Sequence, residues 1–468
     1  MTDLDVRAPR RRADLILRGG TVLTMDEAGS CAQGVAIVEG RIVAVGEAEV
    51  LEPWRGPNTR VIELAGRAVL PGINDSHLHG SWLGARWPHT FFGAADSEAA
   101  AKVSGPLVST RAERRDAILR AGRLLTELGI TSYTEPGLGP GEDRGETGCF
   151  HSEVIEIYRE LAAAGDLWQR ITVLALHGVL DGPSGVETML KGIESHATIA
   201  GESDPEWLAI PGIKIFGDLI PLSRQAWTSH SYDDGTHGDL LVEGATLEER
   251  AAGLAEMLRA AHLAGLQVGL HATGDRTVEL ALETFVTAAA EPGAPSVREL
   301  GHVIIHGDLA TPVQVARMAE QGIWLNTQSG IAAHAGEWLA GMLGRDVATA
   351  AWPLGAALAA GVLILSSDAP VLDFDWRRGI AAAEARIVAT GGSVEPEDAR
   401  ARLDQLLRSY TSLPAAQDRA SDWKGTVAVG KVADLVVLER DPREVGAAGL
   451  PDVAVEITVL DGRVVFER

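Results

Sequence analysis

Cysteine is the residue that this sequence most conspicuously lacks. Among 468 residues there are two cysteines, Cys31 and Cys149. Two cysteines cannot form the disulfide framework of a small secreted domain, and they cannot supply a zinc site built on several thiolates. We therefore expect a protein of a reducing compartment, the cytoplasm, and any metal site must use other ligands.

Positive charge and long apolar runs are also scarce. Lys and Arg number 41 against 65 Asp and Glu, which gives a net charge of -24 and a pI near 4.9. An acidic surface repels phosphate groups, so we expect no nucleic-acid partner. No apolar run approaches the roughly 20 residues that a membrane-spanning helix needs, so we expect no membrane partner either.

Several motifs of well-known catalytic folds are missing. No GxGxxG turn follows an early strand, which disfavours an open doubly wound sheet. The P-loop pattern and the GxSxG turn of serine hydrolases are absent too. What remains is a chain with 46% hydrophobic and 23% charged residues, typical of a globular protein and long enough for a large barrel with an accessory domain.

Short alternating strands are predicted near both ends of the chain. Glu39-Gly40 marks the turn of one β-hairpin, and Asp461-Gly462 marks the turn of another. We expect the terminal strands to pair in one small β-sandwich domain. The alternative is that the two groups of strands are independent additions to the rest of the protein. The first residues are expected to form a flexible tail, because their arginine run is not followed by an apolar stretch long enough for a secretion signal.

Between the terminal strands, apolar runs alternate with amphipathic helices. The eight runs are AVLPGIND, ITSYTEP, ITVLALH, GIKIFGD, LQVGLHATG, HVIIHGD, GIWLNTQ and VLILSSDAP. One helix opens with Thr246 and Glu249 at capping-box spacing and ends at Gly265. Eight β units with helical crossovers predict an α/β fold, a (β/α)8 TIM barrel. The predicted parts are a tail over residues 1–11, a composite β domain over 12–68 and 420–468, and the barrel over 69–419.

Polar residues with metal-binding side chains lie in five of these runs. His77 and His79 close the first run, and residues two apart on a strand point to the same face, so both imidazoles can reach one ion. The later candidates are Lys214 inside the fourth run and His271, His306 and Asp368 at the ends of the fifth, sixth and eighth. Because a barrel places its chemistry at the carboxyl ends of its strands, these residues together predict a metal site.

This order of residues resembles the amidohydrolase superfamily of metal-dependent hydrolases. The segments VLPGINDSHLH, IKIFGD, HATGDRTVELAL and SSDAPV are similar to its N-substituted formamide deformylase-like, or YtcJ-like, branch. The terminal segments GRIVAVGEA and GKVADLVVLERDP resemble the small β domain of the superfamily. The resemblance implies one or two divalent metal ions as cofactors, with zinc as the expected metal.

The resemblance also implies a role for each candidate ligand. It assigns His77, His79 and Asp368 to the more buried metal, His271 and His306 to a second metal, and a carboxylated Lys214 to the bridge between them. With a single metal, His271 joins the first set and His306 contacts substrate. Glu135, at the end of the second run, is the rival bridging carboxylate. Asp75 either orients a ligand or belongs to a turn.

Elementary chemistry supports these roles. A lysine whose pKa is lowered by burial can react with carbon dioxide to form a carbamate. A bound metal lowers the pKa of water towards ~7 and so provides hydroxide, while Asp368 accepts the proton and passes it to the leaving nitrogen. We predict hydrolysis of a non-peptide C–N bond, such as that of an N-formyl amine, an N-acyl amine or a cyclic amide. The alternatives are a mononuclear deaminase of a heterocyclic amidine, which has no use for Lys214, and a non-catalytic regulatory barrel.

Loops that follow the strands are expected to select the substrate. Trp82 lies in an aromatic loop after the first run, and His177 ends the third run as either a substrate contact or a structural histidine. Trp227 and His230 lie in a long loop after the fourth run, which is either a lid or an ordinary surface loop. These loops predict an apolar or aromatic pocket with a few polar anchors.

The expected partner is a small molecule with an apolar or aromatic part. Arg377 and Arg378 follow the eighth run, and we expect surface ion pairs for them rather than contact with a substrate carboxylate. The sequence leaves the oligomeric state open, with a homodimer as one candidate.

Overall fold

The computed structural model describes residues 11–92 and 105–468. Its strands form two sheets of eight strands each. The strands are β1 (Leu15–Leu23), β2 (Cys31–Val38), β3 (Arg41–Gly46), β4 (Arg60–Glu63) and β5 (Ala68–Pro71), then β6 (Ile73–Asp75), β7 (Ile130–Leu138), β8 (Arg170–Leu176), β9 (Leu208–Phe216), β10 (Gln267–Ala272), β11 (Val303–His306), β12 (Trp324–Thr327) and β13 (Leu363–Leu365), and finally β14 (Leu435–Leu438), β15 (Val455–Leu460) and β16 (Arg463–Glu467).

Helices connect most of the barrel strands. Those of the described residues are α1 (Ala48–Leu51), α2 (Gly80–Arg86), α3 (Arg111–Glu127), α4 (Glu153–Ala164), α5 (Val186–Glu194), α6 (His196–Ala200), α7 (Leu247–Leu263), α8 (Asp275–Ala289), α9 (Val297–Leu300), α10 (Pro312–Gln321), α11 (Ser329–Leu343), α12 (Arg345–Ala350), α13 (Leu354–Ala359), α14 (Trp376–Ala389), α15 (Pro396–Arg408), α16 (Ser412–Gln417) and α17 (Pro442–Gly449). The predicted capping box of Thr246 and Glu249 is present at the start of α7. Within the described chain, no helix is both long and apolar enough to cross a bilayer.

The eight predicted runs supply the eight strands of a parallel barrel, which confirms the predicted fold class. Strands β6 to β13 pair in sequence order. All residues of β7, β8, β10 and β11 are buried, as expected for parallel strands covered by helices. The ring is completed beyond the strands by a parallel bridge between Leu78 and Ala369, and the backbone N–H of Asp368 donates to the carbonyl of His77 at 2.7 Å. This closure brings the first and last candidate ligands together.

Both termini contribute to a single mixed sheet, so the prediction that they share one β domain is confirmed. Its order is β16-β15-β14-β5-β1-β2-β3, with β4 paired to β1. The predicted hairpin turns have φ values of 48° and 77° at Glu39 and Gly40, and of 50° and 73° at Asp461 and Gly462. Positive φ at both central residues is the signature of type I′ turns. A Cβ on Gly462 would lie 3.0 Å from the Cα of Gly40, so the two turns pack directly against each other.

The chain passes from the terminal sheet to the barrel at Gly72. Ala68–Pro71 pairs with β1 and β14 of the terminal sheet, whereas Ile73 opens the first barrel strand. The first predicted run, AVLPGIND, therefore contributes one strand to each sheet. The domain limits proposed from the sequence stay predictions, and residues 1–10 of the predicted tail lie outside the described residues.

A buried ion pair also joins the two parts. Arg170, at the start of β8, donates to Asp434 at 2.6 Å and to Asp461 at 3.1 Å, both next to strands of the terminal sheet. Its guanidinium also lies 4.4 Å from the centroid of the Trp207 ring. Because the arginine side chain is only 2% exposed, loss of its carboxylate partner would leave a buried charge uncompensated. The ion pair therefore stabilises the packing of the terminal sheet against the barrel.

Candidate active site

All six predicted ligands line one cavity at the carboxyl end of the barrel. His77 and His79 lie just beyond β6, which ends at Asp75, and not on the strand itself. Their spacing nevertheless directs both Nε2 atoms to the same Oδ1 of Asp368, each at 3.2 Å. The bridge from Leu78, the residue between them, to the opposite segment holds them in place.

The remaining candidate ligands come from neighbouring strands. Lys214 lies on β9, His271 on β10 and His306 at the end of β11. The ring centroids of His271 and His306 are 4.4 Å apart, and those of His77 and His306 are 5.3 Å apart. His77, His306 and Asp368 each offer a ligand atom within 4.8 Å of the other two. His306 and Asp368 have φ values of 73° and 56°, a strained conformation that often marks functional sites.

This set of donors fits a divalent cation. Burial, reinforced by the nearby Lys214, lowers the pKa of His77 and His271 well below the usual value for histidine. Burial and the neighbouring His271 lower the pKa of His306 in the same direction. The rings of His77, His271 and His306 are therefore neutral, and the contact of His77 with Asp368 is not an imidazolium–carboxylate ion pair. Neutral imidazoles and a carboxylate that converge on one point are the ligands of zinc in hydrolases.

Lys214 is better placed than Glu135 to bridge two ions. Its side chain is 1% exposed, its Nζ lies 4.7 Å from the centroid of the Phe216 ring, and burial lowers its pKa to about 8. Glu135 does not line the cavity; it accepts hydrogen bonds from the hydroxyl of Tyr158 and the backbone N–H of Gly80. Burial raises the pKa of Glu135 to about 8. Of the two rival groups, Lys214 is thus the one that lies in the cavity with the candidate histidines.

Asp75 accepts hydrogen bonds from the backbone of the two segments that carry the first and last candidate ligands. Its Oδ1 accepts the backbone N–H of Ser367 at 3.1 Å and that of His77 at 3.4 Å. The carboxylate therefore ties the segment of the first ligands to that of the last one. Whether Asp75 also orients a metal ligand stays a prediction.

Gln328 is a residue that sequence reasoning missed. It follows β12, the seventh barrel strand, and its position at a strand end is the signal that would have found it. Its Oε1 accepts a hydrogen bond from Nδ1 of His306 at 2.7 Å, and its Nε2 donates to Ser366 at 2.8 Å. A proton on Nδ1 leaves Nε2 of His306 with the lone pair that a metal needs.

Replacing Gln328 with alanine is expected to weaken metal binding about 10- to 100-fold, because His306 loses the acceptor that fixes its ring and its tautomer. Titration of the metal-loaded protein with a competing chelator measures this change. The matched control is Gln33→Ala, an exposed residue on β2. Equal metal affinity in the two variants would contradict the orienting role.

The cavity has a volume of about 560 Å³ and a largely aromatic wall. The aromatic residues that line it are Trp82, Phe91, Phe92, Phe150, Phe216, Trp338 and Trp352. Trp82 was predicted to lie here. Phe150, Trp338 and Trp352 were not predicted, because they lie in the connections between strands and not in the predicted runs. The wall agrees with the expectation of an apolar or aromatic pocket.

Three of the four predicted substrate contacts lie outside the lining of this cavity. His177 packs towards the helical layer, 5.9 Å between ring centroids from His196, and burial lowers its pKa to about 4. Trp227 donates its backbone N–H to Asp218, and His230 is exposed. Only the start of their loop, residues 220–222, reaches the cavity, because its later part is bonded to the start of α8. We therefore do not expect substrate contacts from these three residues.

A comparison with known protein families shows to which family the chain belongs. The sequence profile described as the Amidohydrolase family matches residues 93–466. The chain belongs to this family. The predicted resemblance and the predicted class of enzyme, a hydrolase, are confirmed.

Individual relatives of this amidohydrolase point to the same branch. The N-substituted formamide deformylase of Arthrobacter pascens is 24% identical over 558 residues, which covers 97% of this chain and 98% of the relative. The putative amidohydrolase YtcJ of Bacillus subtilis is 24% identical, with coverage of 97% and 99%. An uncharacterized metal-dependent hydrolase from Pyrococcus furiosus has a TM-score of 0.69 at 21% identity, covering 92% of this chain and 99% of that one. The structural likeness confirms the fold.

Proposed function

We propose that this amidohydrolase hydrolyses a non-peptide C–N bond, that of an N-formyl amine, an N-acyl amine or a cyclic amide. The observation that carries the proposal is the convergence of His77 and His79 on Asp368 in an aromatic cavity that also contains Lys214. The end-to-end match with a formamide deformylase supports the choice of bond. The low cysteine content supports a cytoplasmic location.

Zinc is the metal that we propose, since imidazoles and a carboxylate suit it as ligands. His77, His79 and Asp368 would hold the first ion, His271 and His306 the second, and a carboxylated Lys214 would join them. When bound, such an ion acts as a Lewis acid, which polarises a carbonyl group and lowers the pKa of water towards ~7.

The side chains of the cavity perform the remaining chemistry. A carboxylate oxygen of Asp368 takes a proton from the attacking water and returns it to the leaving nitrogen, so that an amine departs. The aromatic wall excludes bulk water and holds an apolar substrate with its carbonyl carbon towards the histidines. With a pKa of about 8, Lys214 includes an uncharged fraction at neutral pH. Its nitrogen can then bond to the carbon of carbon dioxide and release one proton.

A panel of substrates together with metal analysis tests this function. The zinc-loaded protein is expected to release amine from at least one class among formamides, N-acyl amines and cyclic amides, with kcat/KM of about 10⁴ M⁻¹ s⁻¹. Protein stripped with a chelator is expected to lose turnover and to regain it with zinc. Metal-free protein with full activity would contradict the proposal.

A mononuclear deaminase is the second candidate. One observation favours it: among residues 11–92 and 105–468, the group of three whose ligand atoms lie close enough for one ion is His77, His306 and Asp368. Release of ammonia from a heterocyclic amidine by protein that holds one metal would establish this alternative. A protein without metal or turnover would instead fit a non-catalytic barrel.

A further inference from the structure

Acidic side chains outnumber basic ones in the lining of the cavity. Apart from the six candidate ligands, the described residues that line it include two charged side chains, Asp181 and Asp308, and no arginine. Asp181 is exposed, whereas Asp308 is only 5% exposed. Arg377 and Arg378 do not line the cavity, since they pair with Asp375 at 2.8 Å and with Asp373 at 3.8 Å.

Asp308 has no cationic partner in the described part of the chain. None of the salt bridges there involves its carboxylate. Trp352 contacts Asp308 through the backbone: its N–H donates to the carbonyl oxygen of Asp308 at 2.6 Å, and its side chain also lines the cavity. Trp352 is itself only 3% exposed. The carboxyl group of Asp308 thus lies at the cavity wall beside an aromatic ring, where an ammonium group of a bound molecule could form a charge-assisted hydrogen bond with it.

We propose that Asp308 and Trp352 form a subsite for a positively charged amino group of the substrate, remote from the bond that is cleaved. The carboxylate supplies the counter-charge, and the Trp352 ring, whose centroid already lies 6.0 Å from the guanidinium carbon of Arg386, supplies a further cation–π contact. The proposal rests on the proposed function and narrows its substrate class. Substrates with an ammonium group at the far end are favoured, whereas those with a carboxylate, such as N-acyl amino acids, are repelled.

Three formamides of 4-substituted phenylethylamines test the subsite on the zinc-loaded enzyme. The substituents are aminomethyl, which is charged at neutral pH, ethyl, which is neutral, and carboxylate. For the wild-type enzyme we expect kcat/KM for the ammonium compound to exceed that for the ethyl compound about tenfold, mainly through KM, and the carboxylate to rank last. In Asp308→Asn the ratio of ammonium to ethyl is expected to fall to about one.

Asp181→Asn is the matched control, because Asp181 is the other carboxylate of the cavity. It is expected to keep the ammonium-to-ethyl ratio within about threefold of the wild-type value. An unchanged ratio in Asp308→Asn, or a ratio that collapses only in Asp181→Asn, would overturn the assignment. Loss of zinc from Asp308→Asn would also overturn it, since Asp308 would then belong to the metal centre.

A binding experiment separates the subsite from the proposed reaction. Benzyltrimethylammonium carries a charge and an aromatic ring but has no lone pair for a metal, and calorimetry measures its affinity for the zinc-loaded protein. We expect Asp308→Asn to weaken it about tenfold, with Asp181→Asn close to the wild type. If Asp308→Asn weakens binding of benzyltrimethylammonium but the enzyme turns over no formamide, the subsite is supported and the proposed function is rejected. Turnover with no dependence of binding on Asp308 would reject the subsite alone.

Discussion

Replacing Asp368 with asparagine is expected to lower kcat about 1,000-fold while the metal stays bound. The amide has nearly the same shape and still offers an oxygen to the ion, but it cannot accept the proton of the attacking water. The loss corresponds to about 4 kcal/mol of transition-state stabilisation. Steady-state kinetics on the substrate found with the panel, together with metal analysis of the same sample, measures both quantities.

The control for this variant is Asp116→Asn, the same chemical change on the exposed face of α3. It should leave both kcat and metal content as in the wild type. If Asp368→Asn keeps its turnover, another group takes the proton. If instead it loses the metal together with activity, the role of Asp368 is that of a ligand, and its assignment as the proton acceptor has no support.

The barrel was predictable because each of its strands is a short apolar run that ends in polar residues. The strand β11, for example, is wholly buried and ends at His306, so the change from apolar to polar residues marks both the strand and the site. The terminal sheet was predictable from turns, because Glu39-Gly40 and Asp461-Gly462 adopt the positive φ values that such pairs tolerate. The local sequence was therefore sufficient to predict both the barrel strands and the hairpins of the terminal sheet.

The walls of the cavity depend on contacts that no local pattern contains. His177 turns towards the helices because Gly192, on α5, leaves room for it: a Cβ there would lie 2.3 Å from the histidine ring. Trp338, on α11, and Trp352, after α12, line the cavity although neither belongs to a barrel strand. The sequence pattern identifies residues at strand ends, but the direction of a loop side chain is set by distant neighbours.

Replacing Lys214 with alanine is expected to reduce kcat/KM about 1,000-fold and to lower the zinc content from two ions per chain to one. The physical reason is that the proposed carbamate would place negative charge between two cations, and its loss would leave their repulsion less compensated. Metal analysis and kinetics on the purified variant test both parts. Lys191→Ala is the matched control, because the Lys191 side chain is 70% exposed and should affect neither quantity.

Chemical rescue distinguishes a bridging carbamate from a merely structural lysine. A small carboxylate such as acetate or propionate fits the space left in Lys214→Ala and can supply the missing pair of oxygens, so it should restore activity about tenfold and bring back the second ion. Rescue by methylamine in place of acetate would show that an ammonium group is needed, which contradicts carboxylation. An active Lys214→Ala with one metal would instead support the mononuclear deaminase, because that chemistry uses His77, His79, a further histidine and Asp368 and leaves the lysine without a role.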